Sequence, residues 1–374
     1  MKNFERTILM LSFWGVFVII PGCSAQRQLV QQPFIWNVEE LNVMKRDAAN
    51  SKIVRSVRKL GDKYKEEGQV VVTAKRKTFA PNKHYYCSIG PYWWPDPDNS
   101  GKYINRDGQV NPEQSQYDRK KLSLLAKRCQ ELGRAFYLSE DTTYYNAFIG
   151  QLRAWFIDEN TYMYPNFEYA QVIPGQRNNQ GRSTGLIDAY DFNTVIESIR
   201  LVNRVKQIDK PTVEALQQWF GDFANWAERI HGRTMRKSLQ NISLAYDVTI
   251  ANMYQFSGDE KRAKEIVDAF SAIRLDKQIM DDGSQPAELK RTKAFSYSMF
   301  NLMHIIDMCY LARYWYPNYY QEHRELIDKA FDFLGQYVDE PERFPYQQIT
   351  SWDGCKKSYF TQLKRLEQLR GEYN

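Results

Sequence analysis

Apolar side chains recur every three to four residues along most of the chain, the spacing that lines one face of an α-helix. Over 39–65 the apolar positions are Leu41, Met44, Ile53, Val57 and Leu60. The same period marks 122–137, 141–157, 192–205, 213–230, 242–256, 259–273, 297–314 and 319–338. Neighbouring segments are joined by turn signals such as Ser139-Glu140-Asp141 and Ser257-Gly258-Asp259, so successive helices fold back as antiparallel hairpins. Strand signals are few and short. The pattern predicts an all-α protein, an (α/α) incomplete toroid or barrel of helical hairpins. An α-solenoid is the alternative, but no fixed-period repeat is found.

Two stretches break the pattern. Residues 78–117 are rich in Pro, Gly, Asp and Asn and carry Tyr85, Tyr86, Tyr92, Trp93, Trp94 and Tyr103. A loop of this length inside a compact domain is usually functional. The other is the N-terminus. Lys2 and Arg6 precede an apolar run over 8–20, too short for a comfortable membrane span and typical of an export signal. The run ends Pro21-Gly22-Cys23, like a lipobox, which makes Cys23 the candidate lipidation site. Cleavage after Ala25 is the plainer alternative. The expected organisation is a signal region over 1–25, a linker over 26–38 and one domain over 39–374. With Ser24 after the cysteine, the expected location is the periplasm, anchored to the outer membrane, with no other membrane contact.

Composition changes this picture little. The 51 Lys and Arg exceed the 45 Asp and Glu by six, a mild excess with no dense basic cluster, so nucleic acid is not an expected partner. Mean hydropathy of −0.63 speaks against a membrane bundle. The 25 Tyr and 9 Trp often fill cores in such proteins, and they also line sugar-binding grooves, because aromatic faces pack on the C–H faces of sugar rings. Cys87, Cys129, Cys309 and Cys355 fit no zinc spacing; they either pair in one of three ways or stay as buried thiols. No metal site and no cofactor motif is legible.

Three segments carry candidate chemistry. Ser88-Ile89-Gly90-Pro91-Tyr92-Trp93-Trp94-Pro95-Asp96-Pro97 is a stiff loop that presents rings, either as a plug for one end of the toroid or as a sugar platform. Gly181-Arg182-Ser183-Thr184-Gly185-Leu186-Ile187-Asp188 offers close backbone approach at its glycines, with Arg182 and Asp188 able to bind carboxylate and hydroxyl groups. The third segment runs from Asp282-Gly283-Ser284-Gln285-Pro286 through Arg291-Thr292 into Phe295-Ser296-Tyr297-Ser298. Asn301 stands one helical turn after Tyr297.

Together these segments, with Pro345-Tyr346-Gln347-Gln348-Ile349, resemble the alginate lyase superfamily of polysaccharide lyases from about residue 34 to 349. The resemblance implies a toroid with a deep cleft and eliminative cleavage beside a uronic acid. A uronate C5 proton leaves only if the adjacent carboxylate is first neutralised by donors. A base then removes the proton and an acid protonates the leaving oxygen. One tyrosine can do both, although its ordinary pKa of about 10 requires neighbours that favour the phenolate. By resemblance Tyr297 is the catalytic tyrosine, Arg291 the arginine before it and Asn241 the asparagine of the family's Asn-Asn-His motif. The substrate-binding candidates are His84, Tyr85, Tyr92, Trp93, Trp94, Gln180, Arg182, Asp188, Tyr246 and Asn301.

One departure stands out. Ile242 occupies the family's His position and Gln240 the other Asn, while Ser296 stands where some members carry His. Ile can neither neutralise a carboxylate nor take a proton. His84, His231, His304, Arg182 and Gln180 are the candidates to compensate, His84 being best placed. Three readings follow: a lyase acting on an acidic polysaccharide, a catalytically weakened uronate-binding protein on the same fold, and a hydrolase using Asp188 and Asp247 across a cleft.

Overall fold

The computed structural model describes residues 33–47 and 52–371. The signal region, Cys23 and the first part of the linker lie outside the described residues. The described chain is built mostly of helices: α1 Val38–Arg46, α2 Lys52–Glu66, α3 Arg119–Ser139, α4 Thr142–Phe156, α5 Asp191–Asn203, α6 Lys210–Lys237, α7 Asn241–Ser257, α8 Glu260–Phe270, α9 Ala294–Ala312, α10 Tyr319–Gly335 and α11 Trp352–Gly371.

Local chemistry fixes many of the boundaries. Asn37, Asp141, Asp209 and Asp259 each cap a helix by accepting a backbone N–H of its first turn. Glu140 and Gly258 end α3 and α7 in the left-handed conformation, at the two turns legible in the sequence. Burial then sorts the helices into two layers. Every residue of α7 from Asn241 to Phe256 is buried, and α3, α5 and α9 are buried over most of their length. Helices α2, α4, α6, α8 and α10 pack outside them and keep one polar face. Helix α3 packs on α5, α5 on α7 and α7 on α9, which makes the inner wall of an α/α toroid. Helix α7 joins the two halves of the core. Its Ile242, Tyr246 and Ile250 face the first half, and Leu244, Val248 and Ala251 the second.

Some expectations are corrected. The 39–65 pattern belongs to two helices, not one. The final stretch of the presumed linker is part of the core: Phe34 is buried and its N–H donates to Glu197 at 2.5 Å. Segment 259–273 runs on through a π-helical turn, Ser271–Leu275. Helix α11 lies beyond 319–338, the last segment where the apolar spacing predicts a helix.

The irregular 78–117 stretch is partly ordered as sheet. Strand β1 (Cys87–Ile89) pairs in parallel with Tyr169–Val172 (β4), and β2 (Trp93–Pro95) pairs antiparallel with β3 (Tyr103–Asn105). The four cysteines, Cys87, Cys129, Cys309 and Cys355, are buried free thiols. Among the described residues no helix is long and apolar enough to cross a membrane, and no group of three His, Cys, Asp or Glu side chains is placed to hold a metal ion.

Candidate active site

Segments far apart in the chain meet at the N-terminal end of α9. The tail 345–349 runs beside the residues that enter this helix, with Lys293 bridged to Gln348. The Gln348 side-chain carbonyl accepts the N–H groups of Phe295 at 3.0 Å and Ser296 at 3.3 Å, so the tail caps the first turn of α9. Tyr297 follows in that turn and is half-buried. Its hydroxyl donates to the Tyr92 hydroxyl at 2.8 Å, which brings the aromatic loop over the helix end.

Arg291 lies against the same ring, its guanidinium carbon 4.1 Å from the centroid of Tyr297. The guanidinium is held by Asp107 through two bonds, Nη2 to Oδ1 at 2.7 Å and Nε to Oδ2 at 3.1 Å. Thr292 adds its N–H and hydroxyl to the same carboxylate. The next residue, Gly108, has φ +77°, and a Cβ there would stand 2.6 Å from Thr292 Oγ1. Only glycine lets the loop sit this close. Arg291 draws the Asp107 carboxyl below its usual range.

Asn241 opens α7 and is tied to the same loop by Glu288. Its backbone N–H and its side-chain Nδ2 each donate to one Glu288 carboxylate oxygen at 2.6 Å. Asn241 is 7% exposed, and its second Nδ2 hydrogen and side-chain carbonyl are not taken by Glu288. Burial pushes the Glu288 carboxyl up. On the other side of the aromatic loop, the Arg182 guanidinium carbon lies 5.8 Å from the Trp93 ring. Trp94 donates its Nε1–H to the Gln109 carbonyl and receives Arg106 over its face at 5.1 Å.

Burial, first, and then the Tyr92 hydroxyl raise the Tyr297 pKa, and Arg291 offsets only part of this. In the free protein the phenol is therefore protonated at neutral pH. This corrects the expectation that its neighbours favour the phenolate: burial and the Tyr92 hydroxyl outweigh Arg291, and Asp107 opposes it as well.

These elements bring a tyrosine, an arginine and, through Glu288, a buried amide together beside an aromatic loop. The alginate lyase family model matches residues 71–344. The chain belongs to the alginate lyase family. It is a polysaccharide lyase, and an acidic polysaccharide is its substrate class. Among solved structures, an alginate lyase from Bacteroides ovatus is 33% identical with a TM-score of 0.85, the match covering 92% of this chain and 93% of that one. Alginate lyase A1-III from Sphingomonas species A1 is 13% identical with a TM-score of 0.47, covering 77% of this chain and 78% of that one. A comparison with curated proteins finds no match.

Within this alginate lyase fold, other residues singled out in the sequence belong to the framework. Asp188 is buried; its carboxylate accepts the Tyr86 hydroxyl at 2.8 Å and the Ser88 hydroxyl at 2.9 Å and faces Arg119 Nε at 3.4 Å. It joins β1 to α3 and is not open to a sugar. Tyr246 is buried and donates to Glu228, and Asn301 is fully buried with its Nδ2 donating to Gln285 at 2.9 Å. Asp247 is buried in a bidentate pair with Arg274, so Asp188 and Asp247 cannot be the facing carboxylates of a hydrolase. Gly181 and Gly185 do allow close approach, but to Ala170 of β4, where a Cβ would meet backbone at 2.6–2.7 Å.

The histidines separate clearly. His84 is half-buried, with Nδ1 2.7 Å from the Tyr162 carbonyl, and stacks on Tyr164 at 5.3 Å; Tyr85 meets Tyr164 and Tyr169 edge-on. His304 is fully buried between Tyr190 and Phe300, where burial lowers its pKa to about 3. His231 lies beside Trp226, and burial lowers its pKa. Gln180 is exposed after the strained run Arg177, Asn178 and Asn179, all at positive φ. Ile242 is buried, 8% exposed. Sequence reasoning missed two residues that build the site, Asp107 and Glu288. Glu288 lies between Pro286 and Arg291 in the third segment, and Asp107 precedes a turn glycine, but neither carries a signal of its partner.

Proposed function

We propose that this lyase cleaves a uronic-acid polymer, alginate-like or glucuronan-like, by syn β-elimination at Tyr297. The observation that carries the reading is the Tyr297 ring held between the Arg291 guanidinium and the Tyr92 hydroxyl. Arg291 and the remaining Asn241 N–H neutralise the substrate carboxylate, which acidifies C5–H. The Tyr297 phenolate takes that proton, the electron pair forms the C4–C5 double bond, and the C4–O bond breaks. The same phenol then returns the proton to the leaving oxygen, so no net proton is exchanged. Trp93, Trp94 and Arg182 supply a stacking surface and a cation for neighbouring sugar units.

One tyrosine serves both roles only when H5 and O4 lie on the same face of the ring. Mannuronate and glucuronate meet this condition; guluronate and galacturonate need a second base on the other face, and Ile242 provides none. The protein is accordingly a mannuronate or glucuronate lyase. The test is a panel of polyuronates read by ultraviolet absorbance of the unsaturated product, with Tyr297→Phe as the control. Full elimination activity in Tyr297→Phe rejects the assignment.

Ile242 also favours a second reading, a uronate-binding protein with weakened catalysis, which predicts binding without new absorbance. The basic start, apolar run and Cys23 support an exported lipoprotein facing the periplasm; loss of fatty-acid labelling in Cys23→Ala tests it.

A further inference from the structure

The toroid has a second candidate binding place at the end opposite Tyr297. A cavity of about 1440 Å³ opens between α1, the C-terminal ends of α5, α7 and α9, and helix α11. Along α9, Tyr297 and Tyr310 are 13 positions apart, or roughly 20 Å at the helical rise. On α7 the same axis separates Asn241 from the cavity residue Gln255. The two places do not overlap.

The wall is cationic. Arg200, Arg204, Arg313, Lys357, Lys364 and Arg365 line it with Glu39 and Glu40, and counting Glu197 and Asp307, which hold Arg200 and Arg365, the balance is 6 − 4 = 2 positive charges. Arg365 is anchored from below by Asp307 at 2.7 Å, and buried Arg200 by Glu197, Asn252 and Gln255. Rings accompany the cations: Arg313 and Arg365 lie 4.4 Å and 5.2 Å from the Tyr310 centroid, and Tyr314 and Phe360 are exposed at 45% and 47%. Arg204 and Lys357 are exposed. Cations fixed beside aromatic faces, in a space wide enough for several sugar rings, match a chain that carries a carboxylate on each ring.

We infer that this cavity is a second, non-catalytic binding site for anionic oligosaccharides of the uronate class. It rests on the lyase reading for the ligand's chemistry but uses none of the active-site residues. It holds a released product or a distal stretch of polymer while the other end of the toroid cleaves.

The test is calorimetric titration of the full mature chain carrying Tyr297→Phe, which leaves the ligand intact, with a hexauronate of mannuronate at low salt. The expected result is two molecules bound per chain. Adding Arg204→Glu and Lys357→Glu should weaken one of the two events by roughly tenfold or more and leave the other. Arg204→Lys should keep both, and a thermal melt checks that each variant folds. A single event, or two events that ignore the charge reversal, overturns the inference. Elimination by the wild-type chain is read separately from absorbance. Product formation with a single event therefore sinks the second site alone, whereas no absorbance on any polyuronate sinks the lyase reading itself.

Discussion

The hydroxyl of Tyr297 donates to the hydroxyl of Tyr92 across 205 residues of sequence, at 2.8 Å. This bond ties the aromatic loop to the helix that carries the proposed base, and it sets how readily that base forms. Tyr92 raises the Tyr297 pKa after burial does, while Arg291 opposes both. Activity that needs the phenolate must therefore rise with pH above neutrality.

Tyr92→Phe removes one of the contributions that hold the phenol protonated. The rising limb of the pH–rate profile should then move to lower pH. Initial rates of product absorbance across an alkaline pH series provide the check. A limb that moves upward instead would mean that Tyr92 stabilises the phenolate.

Asp107→Asn should cost about 1 kcal/mol at neutral pH, because the Arg291 pair is a quarter exposed and partly screened. The Asp107 carboxyl lies below its usual range chiefly through Arg291. A depressed carboxyl adds stability that is complete above its unfolded pKa of about 3.9 and fades as pH falls through the lower folded value. Urea midpoints of wild type and variant should therefore differ at pH 7 and converge below pH of about 4. Parallel curves down to strong acid would exclude this linkage.

Asp188→Ala should unfold the framework rather than tune the chemistry. It leaves Arg119 short of one carboxylate and strands the Tyr86 and Ser88 hydroxyls. Breaking a buried pair in this way costs about 3–5 kcal/mol. A large drop in the denaturation midpoint is expected. A stable variant with a raised KM alone would return Asp188 to the substrate site.

Ile242→His places a titratable group beside Asn241. The expected gain is activity on guluronate blocks, where H5 and O4 lie on opposite faces and a second base is required. The readout is the ratio of initial rates on guluronate and mannuronate polymers, wild type against variant. A ratio that does not change assigns Ile242 to packing alone.

The helical periods, the turn residues and the loop rich in Tyr and Trp were legible because they are local: amphipathic spacing, capping side chains and Pro/Gly breaks act within a few residues. The linker end was not legible for the opposite reason. Phe34 is held by Glu197, 163 residues away, whereas α11 does carry a local helical spacing in Cys355, Tyr359, Leu366 and Leu369, set among many charged residues.

The sequence by itself determined the hairpin architecture and the motif around Tyr297 and Arg291. Only the tertiary structure decided which polar residues are tied into the framework and which segments meet at Tyr297. Asp188, Tyr246 and Asn301 lie in motifs yet are buried in hydrogen-bonded pairs, while Asp107 and Glu288, which carry no distinguishing pattern, hold Arg291 and Asn241 in place. A side chain's role depends on what surrounds it, and the partners that bury or orient it come from segments its own neighbours in sequence do not specify.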